Sequence, residues 1–208
     1  MQYIFIHGLG QDPSGWDETK LYLGGQRRID CPDLSLFLKD EDVSYGNLYG
    51  AFSEYCGDIS GPVHLCGLSL GAVIALNYAV DHSEKVRSLV LIAPQYKMPK
   101  ILLKLQNMIF RFLPERSFAG TGIGKEKMRK LTNSMGNLDF SGNLEKISCP
   151  ALILCGERDT ANRKAAGIMA ERIRGAEIRT IKNAGHEVNK EAPEQLAEGL
   201  RDFYTRLK

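Results

Sequence analysis

Residues 63–80 read VHLCGLSLGAVIALNYAV. One apolar run meets a second at a single hydroxyl, Ser69, with Gly67 and Gly71 two positions away on either side. A strand that turns directly into a helix forces its corner residue into a strained backbone conformation. Side chains two positions before and after the corner would collide, so both flanks need glycine. The corner side chain then stands clear of the sheet edge, at a helix start where free N–H groups and the dipole favour negative charge. Gly67-Leu68-Ser69-Leu70-Gly71 is therefore expected to form an elbow presenting Ser69 as a nucleophile. The plainer alternative is a serine that only caps a helix. The strand-like run before it and the apolar run after it weigh against that.

Working outward, YIFIH (3–7), VRSLVLIA (86–93) and ALILCG (151–156) are further short apolar runs of the kind that form buried parallel strands. RRIDC (27–31) and EIRTIK (177–182) are weaker versions. Between them, Leu48, Phe52 and Tyr55 recur at helical spacing. So do Leu196, Leu200, Phe203 and Leu207, behind Pro193 at a plausible first turn. Strand–helix alternation implies right-handed crossovers. The expected fold class is α/β, with a mostly parallel sheet of about six strands and helices on both faces. Residues 1–208 read as one domain. The alternation breaks between Pro94 and Pro150, so 95–146 is expected to be a small helical cap inserted into it.

The 208-residue chain is 25% charged and 43% hydrophobic with a net charge of +2, which gives no electrostatic case for nucleic acid or a membrane surface. The opening MQYIFIHGLG lacks a basic leader segment, and no apolar run reaches membrane-spanning length. A cytoplasmic address without stable membrane insertion follows as an expectation. The oligomeric state has no signature. Five cysteines, an odd number with no CxxC pair, read as reduced thiols; Cys66 and Cys155 lie inside apolar runs. GTGIG (120–124) follows no strand and has the wrong spacing for a dinucleotide loop. No cofactor and no metal site is expected.

A serine hydroxyl needs a base within hydrogen-bond reach. Of four histidines, His64 lies inside a strand, His82 follows a helix, and His7 ends the first strand. His186, in the polar loop KNAGHEVN, belongs to no periodic pattern and is the best candidate; taken alone it would read as a solvated loop residue. The base needs a carboxylate to fix its tautomer. ALILCGERD offers Glu157 and Asp159, and Asp159 stands farther past the strand, although it could equally cap the next helix. Pro94-Gln95-Tyr96, after the preceding strand, contains no acid. Oxyanion donors are expected from the backbone N–H groups of Leu70, on the elbow, and Leu9, in HGLG, where Gly8 allows close approach and His7 braces the loop.

In order and placement these residues resemble the α/β-hydrolase superfamily: HGLG, the elbow at Ser69, GERD ending in Asp159 and AGH ending in His186. EKVRSLVLIAP and ISCPALILCGERD also look like segments of that family. The resemblance covers about residues 3–93 and 147–208. It departs at the start, where the family's first two strands are expected to be absent, and at DCPDLSLF, which replaces the frequent D-x-P-G-x-G. It implies a serine hydrolase acting through an acyl-enzyme on a small-molecule ester or thioester. A lyase, C–C hydrolase or acyltransferase with the same three residues, or a non-catalytic ligand-binding module, are the alternatives.

Two expectations attach to the insertion. KILLKLQNMIFRFL (100–113) places Ile101, Leu105, Ile109 and Phe112 near one helical face, which either packs on the domain or lines an acyl pocket as a lid. Nine basic residues against two acids between 95 and 136 read either as a solvated face or as a field that draws an anionic substrate or surface.

Overall fold

The four strong apolar runs become strands because both of their faces are largely covered, whereas the two weaker ones form the partly exposed edges. The computed structural model describes residues 2–25, 27–38, 43–100, 103, 112, 114–118 and 123–207. Among these, the strands are β1 (Gln2–Ile6), β2 (Arg28–Asp30), β3 (Val63–Leu68), β4 (Val86–Ile92), β5 (Ala151–Gly156) and β6 (Glu177–Ile181). They form one parallel sheet in the order β2-β1-β3-β4-β5-β6. The order reverses direction between β1 and β3, so loops leaving neighbouring strands diverge there and open a crevice at their carboxyl ends.

The helices are α1 (Asp17–Leu23), α2 (Tyr45–Gly57), α3 (Leu70–Asp81), α4 (Lys125–Ser134), α5 (Thr160–Arg172), α6 (Val188–Glu191) and α7 (Pro193–Arg206). Strand side chains alternate between two cores. Phe5, Cys66, Leu68, Val90, Ile92, Leu152 and Leu154 face α1 and α7. Ile4, Ile6, Leu65, Leu89, Leu91 and Ile153 face α2, α3 and α5. Leu196, Leu200 and Phe203 turn inward from α7, whereas Leu207 falls just past its end. The elbow helix α3 is buried almost all round, which explains the missing polar residue before Asn77.

The described part of the 95–146 region packs on the α2 side. Met98, Ile123, Met128, Leu131 and Phe140 join that core, and the Tyr45 N–H donates to Ser134 Oγ at 2.7 Å. Of the expected lid face, Ile101, Leu105 and Ile109 lie outside the described residues; Phe112 is 79% exposed. Among the described residues no helix is long and apolar enough to cross a membrane.

His64 shows how the core constrains pH. Its ring stacks on Tyr3 at 4.3 Å, meets Tyr204 edge-on, and its Nδ1 lies 2.8 Å from Ser88 Oγ. Burial, aided by the Arg87 charge, lowers its pKa from 6.5 to about 4. As pH falls, the unfolded chain takes up this proton before the folded one. The stability present above pH 6.5 is therefore lost toward pH 4, on the order of 3 kcal/mol. Buried His7, also shifted down by burial, acts in the same direction. The melting temperature is expected to fall over that window, and His64→Phe to flatten the fall while lowering the neutral-pH value by stranding the Ser88 hydroxyl. A wild-type melting temperature unchanged from pH 7 to 4.5 would contradict this.

Candidate active site

The corner between β3 and α3 has the strain the sequence implied. Ser69 has φ 54 and ψ −111, a region that L residues rarely enter. Its N–H is fixed by Ile92 O at 2.9 Å. The flanking glycines are required by packing. A Cβ on Gly67 would lie 2.2 Å from Gly71 O, and one on Gly71 would lie 2.1 Å from Ile6 O. Ser69 occupies the N-cap position of α3 but its side chain makes no capping bond, which leaves Oγ available.

His186 reaches this hydroxyl from the loop after β6. Its Nε2 lies 2.9 Å from Ser69 Oγ, and its Nδ1 lies 2.9 Å from Asp159 Oδ2. Asp159 stands at the N-cap of α5, where an aspartate ordinarily turns to the helix, yet it makes no capping bond. Its carboxylate instead accepts from the Asn162 amide at 2.9 and 2.8 Å and from His186. Burial pushes this carboxyl up, and the hydrogen bonds from His186 and Asn162 outweigh that and hold it below the usual range. An ionised carboxylate bound to Nδ1–H leaves Nε2 as the free base toward Ser69. Glu157, the other acid of GERD, is turned away and accepts from the Asn183 N–H at 2.9 Å.

Leu70 is the first residue of α3, so its N–H has no partner within the helix and points out of the helix start. Leu9 and Leu70 line one narrow cleft with Leu34, Leu38, Leu48 and Ile123. His7 is buried between two backbone segments. Its Nδ1–H donates to Gly8 O at 2.9 Å, and its Nε2 accepts from the Leu34 N–H at 3.1 Å, tying HGLG to the DCPDLSLF loop. At Gly8 a Cβ would meet only ordinary contacts, the nearest at 3.6 Å. Packing alone thus does not demand glycine there.

Several contributors were not visible in the sequence. Gly156, which ends β5, lets the His186 loop pass close by: a Cβ there would lie 2.0 Å from Gly185 O. Glu191 caps the same loop, accepting from the Gly185 and Glu187 N–H groups at 2.8 and 3.1 Å. Gln11 bridges the HGLG loop to it, donating to Glu187 Oε1 at 2.6 Å and accepting from Asn189 at 3.1 Å. Such contacts join residues up to 178 positions apart, and no local pattern announces them. Burial pushes the neighbouring Cys155 thiol up to about 12, so it remains protonated and is no competing nucleophile.

The chain matches the model of a family described as the alpha/beta hydrolase family over residues 3–199. It is 24% identical over 259 aligned positions to monoacylglycerol lipase abhd6-B of Xenopus laevis, covering 99% of this chain and 75% of that protein. It is 23% identical to the pimeloyl-[acyl-carrier protein] methyl ester esterase of Neisseria meningitidis serogroup B, covering 95% and 90%. Among solved structures, the enol-lactonase from Burkholderia xenovorans LB400 superposes with a TM-score of 0.86 at 17% identity, covering 99% of this chain and 91% of that one. At that identity the likeness is one of fold.

Proposed function

The chain belongs to the alpha/beta hydrolase family, and within it we propose a serine hydrolase that cleaves a small to medium, partly apolar ester or thioester through an acyl-enzyme. The observation that carries this reading is the continuous contact from Ser69 Oγ through His186 to Asp159, each step at 2.9 Å. Relatives named as a lipase and as a methyl ester esterase support the reaction class.

In the proposed cycle, His186 Nε2 takes the Ser69 proton as Oγ attacks the substrate carbonyl carbon. The imidazolium is stabilised by Asp159, and the tetrahedral oxyanion by the N–H groups of Leu70 and Leu9. Collapse breaks the C–O or C–S bond, with the proton passing from His186 to the departing alcohol or thiol. Water then attacks the acyl-serine with the same histidine as base, releasing the acid and restoring Ser69. The acyl group extends toward the narrow apolar cleft of Leu34, Leu38, Leu48 and Ile123, whose Ile123 comes from the 95–146 region.

A fluorophosphonate probe is expected to label the protein to one equivalent. p-Nitrophenyl esters are expected to be hydrolysed with a preference for short to medium acyl chains, because the cleft between Leu34, Leu38, Leu48 and Ile123 is narrow. Labelling without turnover of any ester would point to the acyltransferase or lyase alternative. Neither labelling nor turnover would overturn the reading.

A further inference from the structure

We propose that Asn162, oriented by Gln95, is a positioning residue that aims the Asp159 carboxylate at His186; this rests on the serine-hydrolase reading above. Asn162 is the third residue of α5, 7% exposed, and directs one amide nitrogen at both oxygens of Asp159, 2.9 and 2.8 Å away. A single NH2 group bridging both oxygens restrains the carboxylate plane as well as its position. The amide orientation is unambiguous, since an ionised carboxylate only accepts and the edge facing it must be NH2. The opposite edge, Asn162 Oδ1, accepts from Gln95 Nε2 at 2.7 Å, and Gln95 also donates to Ala161 O at 3.3 Å. A flip of Asn162 would place NH2 against NH2 at Gln95 and oxygen against oxygen at Asp159, so each partner excludes it.

The amide nitrogen of Asn162 also lies 3.1 Å from His186 Nδ1. With Nδ1 protonated, both groups are donors. They converge on Asp159 and do not bond to each other. This convergence holds the carboxylate of the N-cap aspartate against His186. It also gives a use to the position after β4. Gln95, just past the end of β4, couples it through Ala161 and Asn162 to the start of α5 that follows β5.

Removing the Asn162 donor leaves the carboxylate with fewer N–H partners and strengthens its hold on the imidazolium. Catalysis then stops at higher pH on the acid side. Other ionisable groups surround the pair: Glu187 with its partner Lys190, Cys155 on β5, and Arg163 on α5. Replacing Asn162 alters none of them.

The experiment follows kcat/KM for p-nitrophenyl acetate from pH 5 to 10 in wild type, Asn162→Leu, Asn162→Asp, Gln95→Leu and Ser69→Ala, with melting temperature alongside. Asn162→Leu is expected to lower the plateau about ten-fold and to raise the acid limb by about one pH unit, the size of one lost charge-assisted hydrogen bond. Asn162→Asp is expected to raise the limb less than Asn162→Leu, because the two facing carboxyls share a proton whose O–H replaces the lost donor to Asp159. Gln95→Leu shifts it the same way by less. An acid limb unmoved in the Asn162 variants, with reduced plateau and melting temperature, would assign Asn162 to packing and overturn the proposal. Should Asn162→Leu not fold, Gln95→Leu decides by the same criterion, its limb rising or staying. If Ser69→Ala retained turnover, the underlying hydrolase reading would fail, and this proposal with it.

Discussion

Ser69→Ala is expected to lower kcat for ester hydrolysis by about 10^5-fold or more and to abolish fluorophosphonate labelling, with the fold intact. The fold should survive because the side chain contributes nothing to the elbow. What holds the corner is the Ser69 N–H bond to Ile92 O at 2.9 Å and the close passage of Gly67 and Gly71. Alanine tolerates the left-handed backbone about as well as serine does. The residual rate, about 10^3-fold over water, would come from the oxyanion donors and from substrate positioning. Stopped assays beside a melting curve check this. A variant that melts like wild type and keeps more than a few per cent of its turnover would remove Ser69 from the mechanism.

The second large effect concerns the acid. Asp159→Asn is expected to lower kcat by about 10^4-fold, and Glu157→Gln to change it by no more than a few-fold. An asparagine at 159 offers His186 Nδ1 an amide instead of a carboxylate. If its NH2 faces Nδ1, the imidazole must carry its proton on Nε2 and cannot accept from Ser69. If its oxygen faces Nδ1, the NH2 is driven against the Asn162 amide, which lies 2.8 to 2.9 Å from the present oxygens. The Glu157 carboxylate accepts from the Asn183 N–H, and a glutamine oxygen can still do so. Loss of activity in Glu157→Gln with retention in Asp159→Asn would reverse the assignment of the acid.

Legibility in the sequence followed the range of each constraint. The strands were readable because a parallel strand buried on both faces must be a continuous apolar run, as at 63–68 and 151–156. Edge strand β2, with only Arg28–Asp30 in register, has too few residues to carry a pattern and was correspondingly faint. The elbow at Ser69 is a local steric demand, so the spacing of Gly67 and Gly71 displays it directly. Gly156 meets an equal demand but against Gly185, which arrives from 29 positions away, and nothing in ALILCG marks it. Asn162 and Gln95 read as ordinary polar residues until β4 and β5 are placed side by side. Gly8 shows the opposite case: it permits close approach in HGLG, yet the place has room for a Cβ.

The proposed cycle requires an acyl group carried covalently on Ser69. Rapid acid quench during turnover of a p-nitrophenyl ester, followed by digestion and mass spectrometry, tests it most directly. A burst of p-nitrophenol of up to one equivalent and a matching acyl mass on the peptide bearing Ser69 are expected, and neither in Ser69→Ala. Turnover with no acyl mass on Ser69 under these conditions, or with the acyl group on another side chain, would contradict it.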